Sequence, residues 1–266
     1  MTLEGPPFDG PLDSTVFDGR RVLAVTAHPD DETLAFGGSL ARCAATGGRS
    51  SLLCLTRGEL GWAGGTPRPS DIPRLAEART RELHEAARVL GIADVRVLDF
   101  PDSRLHELAY APMVDAILQA VRALEPDVLI TFGEDGLYWH RDHIVVFYTT
   151  VQAMRLLGTG APEVYHAVLL RGTMRRFVDA LGAARHDALD AMLWGLEPDA
   201  FGLHAERPDF GVDVRPFVAR KLEALRCHRT QFDAGHPFLV APAAAAERLL
   251  GIEYYHRGPG EPVRPT

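Results

Sequence analysis

The sequence predicts an α/β fold: a Rossmann-like, mostly parallel sheet with helices on both faces and a C-terminal extension roofing a site. Three observations predict it. Apolar runs alternate with amphipathic stretches of ten or more residues between Arg21 and Leu170, the pattern of strands buried on both faces and joined by helical crossovers. A chain of 266 residues suits one α/β unit with a sizeable core. Dense polar clusters follow two of the apolar runs, at the strand ends where parallel sheets bind ligands.

Each element can be read in order. Arg21–Ala27 (RVLAVTA) is a buried strand. Gly37–Thr46 has helical spacing and stops at Gly47-Gly48, and its opening Gly37-Gly38 reads as close packing of helix on sheet. Ser51–Thr56 is the second strand. Arg74–Leu90 is a long amphipathic helix ended by Gly91 as its C-cap. Val95–Phe100 is the third strand. Pro112–Leu124 is a helix stopped by Glu125-Pro126. Asp127–Phe132 is the fourth strand, Asp142–Leu157 a helix before Gly158, and Val164–Leu170 the fifth strand. Beyond residue 171 the pattern weakens. Phe217–Cys227 reads as a helix, and Asp187–Val214 has room for an added strand pair and loops. We therefore read residues 1–266 as a single domain: a core over about 20–170, a C-terminal part over 171–256, and Pro/Gly-rich arms over 1–18 and 257–266.

Composition excludes several classes of function. Acidic residues outnumber basic ones, 36 to 28, which disfavours nucleic acid or an anionic membrane as the main partner. Cys43, Cys54 and Cys227 are too few and too scattered for a disulfide framework or a Cys-based zinc site. No signal peptide or membrane-spanning run is visible, so a cytoplasmic location is expected. Dinucleotide, P-loop and nucleophile-elbow motifs are missing. The oligomeric state is not readable.

The first strand runs into His28-Pro29-Asp30-Asp31-Glu32. One histidine and three acids at a strand end and helix start form a costly arrangement for structure alone. A single N-capping Asp would need no further explanation. His28 and Asp31, three apart, can aim at one point while Asp30 points elsewhere, as metal-assisted hydrolysis requires. The fourth strand leads into Gly133–His143, where His140 and His143 share a face of a starting helix and Asp142 is placed to orient an imidazole. Strands one and four are commonly neighbours in a doubly wound sheet, so the two clusters are expected to converge. Two histidines and a carboxylate would then bind one ion and leave a position for water. Spacing alone leaves His140 open as a ligand. Trp62, Trp139 and Phe238 are candidates for an apolar wall against a sugar, and His236 for the site rim.

Ala27–Glu32 (AHPDDE), Gly37-Gly38 and His140-x-x-His143 together resemble the LmbE/PIG-L family of zinc-dependent N-acetylglucosaminyl deacetylases. Supporting matches run through Thr56-Arg57-Gly58-Glu59, Arg79-x-x-Glu82 with Leu90-Gly91, Leu98–Asp102, Lys221, His228 and Gln231. The resemblance implies zinc bound by His28, Asp31 and His143, with Fe2+ or Co2+ also compatible with such ligands. It implies Asp30 as general base. It makes His140, oriented by Asp142, the imidazolium that steadies the oxyanion or protonates the leaving amine, with Tyr138 polarising the amide carbonyl. It implies sugar contacts from Arg79 and Asp102, with Glu59 a further candidate, and a buttressing role for His228 and Gln231. Many members carry Pro where Arg141 stands here, which puts a charge at the mouth. The expected reaction is removal of an N-acetyl group from an amino-sugar substrate, giving acetate and a free amine. Two alternatives stay open: hydrolysis of a non-sugar N-acyl amine, and a binding module whose metal is only structural.

Overall fold

The computed structural model describes residues 10–61, 65–181, 193, 196–202 and 208–258. Its strands are β1 (Arg21–Thr26), β2 (Arg49–Thr56), β3 (Asp94–Phe100), β4 (Val128–Phe132), β5 (Glu163–Val168), β6 (Phe210–Asp213) and β7 (Ile252–Arg257). Its helices are α1 (Asp31–Ala45), α2 (Ile72–Leu90), α3 (Ala111–Leu124), the one-turn α4 (Gly136–Trp139), α5 (Arg141–Leu157), α6 (Thr173–Leu181), α7 (Val218–Cys227), the one-turn α8 (Pro237–Val240) and α9 (Ala243–Leu250).

The seven strands form one sheet in the order β3-β2-β1-β4-β5-β7-β6. β1 to β5 are parallel, and β7 runs antiparallel to both β5 and β6. The chain moves outward from β1 through β2 to β3, then returns to place β4 on the other side of β1. Right-handed crossovers in opposite directions put their helices on opposite faces. Accordingly α1 and α2 pack with α7 in one layer, and α3 packs with α5 in the other. The direct pairing of β1 with β4, Val22 opposite Val128 and Ala24 opposite Ile130, brings the two polar loops side by side.

Strands and helices of the first 168 residues lie within a few positions of their expected bounds. α1 differs because it starts at Asp31, six residues before the expected Gly37, and kinks at Phe36 (φ −145°, ψ 19°). The kink frees the N–H groups of Gly38 and Ser39, which donate to the buried Glu253 carboxylate at 2.8 Å each. Lys221 Nζ lies 2.6 Å from the same carboxylate. A Cβ on Gly38 would meet the Val214 side chain at 2.5 Å, so this glycine lets α1 come close to the end of β6 in the C-terminal part of the sheet.

Two features add to these expectations. The N-terminal stretch 11–18 is not a loose arm, because Phe17 is fully buried against Tyr165 and Tyr255 and Asp13 N donates to Gly211 O at 2.9 Å. The C-terminal part does more than roof a site, because β6 and β7 extend the sheet. Part of the doubtful 187–214 stretch lies outside the described residues. Among the described residues no helix is long and apolar enough to cross a membrane.

Candidate active site

At the carboxyl end of β1, three side chains converge. His143 Nε2 is 3.1 Å from Asp31 Oδ1 and 3.3 Å from His28 Nδ1. His28 Nδ1 is 3.5 Å from Asp31 Oδ2. A tetrahedral ion with bonds of about 2.0–2.1 Å sets its ligand atoms about 3.3–3.4 Å apart, close to the separation of the two ring nitrogens and of each from its nearer Asp31 oxygen.

The partners on the far sides of the rings support the same reading. His28 Nε2 faces Asp102 Oδ1 and Asp142 Oδ2, each at 3.2 Å. His143 Nδ1 faces Gly136 O at 3.2 Å. Carboxylates and carbonyls only accept, so those ring nitrogens donate, and Nδ1 of His28 and Nε2 of His143 are left facing the centre. Phe132 stacks on His143 at 4.0 Å and fixes its plane. Burial opposes charge on His28, but Asp102, Asp142 and Asp31 outweigh it and raise its pKa well above the usual value. The pocket thus demands a positive charge, and two imidazoles with a carboxylate suit a divalent ion such as zinc.

Asp30 stands beside this centre. As the residue before α1 it would ordinarily cap the helix, yet its side chain makes no capping bond. Its Oδ2 instead accepts from Arg79 Nη2 at 3.0 Å. Burial lifts its pKa to about 6, against the opposing pull of Arg79.

Four of the expected site residues have well-defined surroundings. Asp142, 0% exposed, gives its carboxylate to His28 and to Leu105 N–H at 3.1 Å, so it orients His28 and not His140. His140 lies with its ring 4.9 Å from that of His28 and 4.5 Å from that of His143. Burial, then the facing His143 and His28, push its pKa down to about 3. Asp102 is 2% exposed and meets His28, Leu60 N–H and the Ser103 hydroxyl. Arg79 is equally enclosed. Its guanidinium donates to Gly58 O and Pro29 O at 2.6 Å each, so it clamps the loops after β1 and β2 together.

The remaining candidates divide. Tyr138 lies 5.7 Å from His140 and 5.4 Å from His143, ring to ring, with a hydroxyl that burial keeps protonated. Glu59 accepts from Asp102 N–H at 3.0 Å. Gln231 donates to Gly61 O at 2.8 Å. His236 accepts from Phe238 N–H and packs beside Phe232, so it is spent on capping α8. Phe238 joins a satellite apolar cluster with Phe177. Trp139 is 58% exposed beside His140, and Trp62 lies outside the described residues. The support of His28 by Asp102 was missed in the sequence. Its one available signal was an acid just past the end of the third strand.

A family model described as PIG-L: GlcNAc-PI de-N-acetylase matches residues 23–154. A relative from Geodermatophilus obscurus, named 1D-myo-inositol 2-acetamido-2-deoxy-alpha-D-glucopyranoside deacetylase, is 31% identical over 91% of this chain and 93% of its own. Among solved structures, the N,N'-diacetylchitobiose deacetylase from Pyrococcus horikoshii matches with a TM-score of 0.63 at 22% identity, covering 93% of this chain and 87% of that one. A 4-carboxy-2-hydroxymuconate hydratase from Pseudomonas putida matches with a TM-score of 0.61 at 18% identity, covering 93% and 99%. The last two show a shared fold, and they show that this fold hosts more than one reaction.

Proposed function

The chain belongs to the PIG-L family of de-N-acetylases, and on that premise we propose that it hydrolyses the N-acetyl group of a glucosaminide conjugate to acetate and a free amino sugar. The small-molecule substrate we favour is an N-acetylglucosaminide of a polyol, the class named for the Geodermatophilus relative. His28, Asp31 and His143 would hold the divalent ion, zinc by the chemistry of their donors, with Fe2+ or Co2+ as workable substitutes. When bound, such an ion acidifies water and polarises an acyl carbonyl.

The chain's own residues supply the rest. Asp30 takes the proton of the attacking water as the new C–O bond forms, its carboxylate aimed by Arg79. His140 donates a hydrogen bond to the developing oxyanion, with the Tyr138 hydroxyl as a second donor. As the C–N bond breaks, the proton held by Asp30 passes to the leaving nitrogen. Asp102 and Asp142 hold His28 in the tautomer that keeps Nδ1 bare. With Arg79 and Asp102 turned inward, the exposed Trp139 and Arg141 are the side chains we assign to the sugar and its substituent.

The observation that carries this reading is the meeting of His28 Nδ1, Asp31 and His143 Nε2 within 3.5 Å of one another beside Asp30. It is tested by measuring free-amine release from N-acetylglucosaminyl-inositol, N-acetylglucosamine, diacetylchitobiose and simple N-acyl amines. We expect the inositol conjugate to be turned over best. Turnover of a non-sugar N-acyl amine with none of any sugar would overturn the assignment of substrate class.

A further inference from the structure

We propose that Glu32 and His228 form a positioning pair that pins the Pro29–Asp30 peptide and so aims the Asp30 carboxylate. The proposal rests on the reading of Asp30 as the base.

Asp30 has φ 118° and ψ −26°, a left-handed backbone that a residue with a Cβ adopts only where its surroundings impose it. The imposing contacts are on both poles of one peptide unit. The Pro29 carbonyl accepts from Arg79 Nη2 at 2.6 Å. The Asp30 N–H donates to Glu32 Oε2 at 3.0 Å. With both ends of that plane held, rotation about the Asp30 N–Cα bond is fixed.

Glu32 is itself immobilised. It is 0% exposed, and its other oxygen accepts from the Thr33 hydroxyl and from His228 Nε2, the latter at 3.0 Å. His228, also 0% exposed, sits where α7 ends. Its N–H donates to Leu225 O, and its carbonyl accepts from Gln231 N and Phe232 N. A hydrogen-bonded line therefore runs from the C-terminal part of the chain, through His228 and Glu32, to the backbone of the base. None of these contacts reaches a ligand atom of the ion, so the pair acts on Asp30 and not on the metal.

His228 Nδ1 is buried without a partner among the described residues. Against its burial, Glu32 raises the pKa of His228; with that charge removed, the neutral ring can carry its proton on either nitrogen. This makes a specific rescue available. In Glu32→Gln the amide oxygen still accepts from Asp30 N–H, while the amide nitrogen donates to a bare His228 Nε2. In Glu32→Ala both bonds are lost.

The test compares E32A, E32Q, H228Q and H228L in steady-state deacetylation, metal content and crystal structure. We expect kcat of E32A to fall roughly 10–100-fold, with KM within about threefold of the parent and metal content unchanged. E32Q and H228Q should recover most of kcat, and H228L should not. Crystals of E32A should show Asp30 outside the left-handed region. An E32A enzyme with parental kcat, equal losses in E32A and E32Q, or Asp30 keeping its backbone angles in E32A would overturn the proposal. Should the parent enzyme deacetylate nothing, the functional reading fails, and the backbone of Asp30 in the E32A and H228L crystals still decides the pair.

Discussion

Asp30 and Asp31 are neighbours in sequence with opposite surroundings, which suit the opposite tasks proposed for them. Asp31 lies among the two histidines, which outweigh its burial and hold its pKa well below the usual carboxylate range. Asp30 faces one guanidinium in a dry pocket and is lifted above that range. Replacing Asp30 by Asn keeps the shape and removes the proton acceptor. Activity of D30N should fall about 10²–10⁴-fold while metal analysis still finds the parental amount; activity within threefold of the parent would contradict the assignment. Asp142 acts one layer further out. D142A removes an acceptor of His28 Nε2 and should weaken metal affinity about 10–100-fold, measured by competition with a chelator. An unchanged affinity would mean that Asp102 alone orients the ring. The motif residues were legible because histidines and acids crowd two strand ends. The partners of Asp102 and Asp142 were not, because sequence spacing says nothing of which ring a distant carboxylate meets.

The elements carry the same lesson at a larger scale. Helices α2, α3 and α5 and strands β1 to β5 follow from periodicity and punctuation, since apolar spacing and the Gly91 cap (φ 81°) act locally. The kink of α1 and the pairing of β6 with β7 depend on long-range bonds. Glu253 binding Gly38 and Ser39 is such a bond, and nothing near Phe36 announces it. The short α8 shows how a histidine can be wholly structural. Burial pushes the His236 pKa down to about 4 against a weaker opposing pull from Asp233, and its Nδ1 accepts from Phe238 N–H. The unfolded chain takes a proton near pH 6.5 that the folded chain refuses until about pH 4, so stability is lost as pH falls through that window. With its partial exposure discounted, the loss should be about 1–2 kcal/mol. Urea midpoints at pH 7 and pH 5 measure it. H236N keeps a capping acceptor and should lose less stability between these pH values; an equal loss would show that other groups set the acid sensitivity.

Across the whole molecule, the N-terminal core holds the chemical groups and the C-terminal part holds them in place. Lys221, the only lysine of the chain, is 1% exposed and pairs with Glu253, joining α7, β7 and the kink of α1. Removing one member of a buried pair leaves the other charge uncompensated, at a cost of about 3–5 kcal/mol. K221M should therefore lower the thermal midpoint by about 10 °C; a change under about 2 °C would mean that Glu253 is satisfied by backbone alone. The sheet order around β1 and β4 was legible from the alternation of strands and helices. The wrapping of residues 11–18 and 208–258 onto it was not, because those segments add edge strands and buried ties whose partners lie far off in the chain.

On the proposed function, one ion held by His28, Asp31 and His143 should be required for de-N-acetylation. Titrating the metal-free protein with Zn2+ while following amine release from N-acetylglucosaminyl-inositol tests it most directly. Activity should rise in proportion to added zinc and level off at one equivalent per chain. Full turnover without metal, or none at any loading, would contradict it.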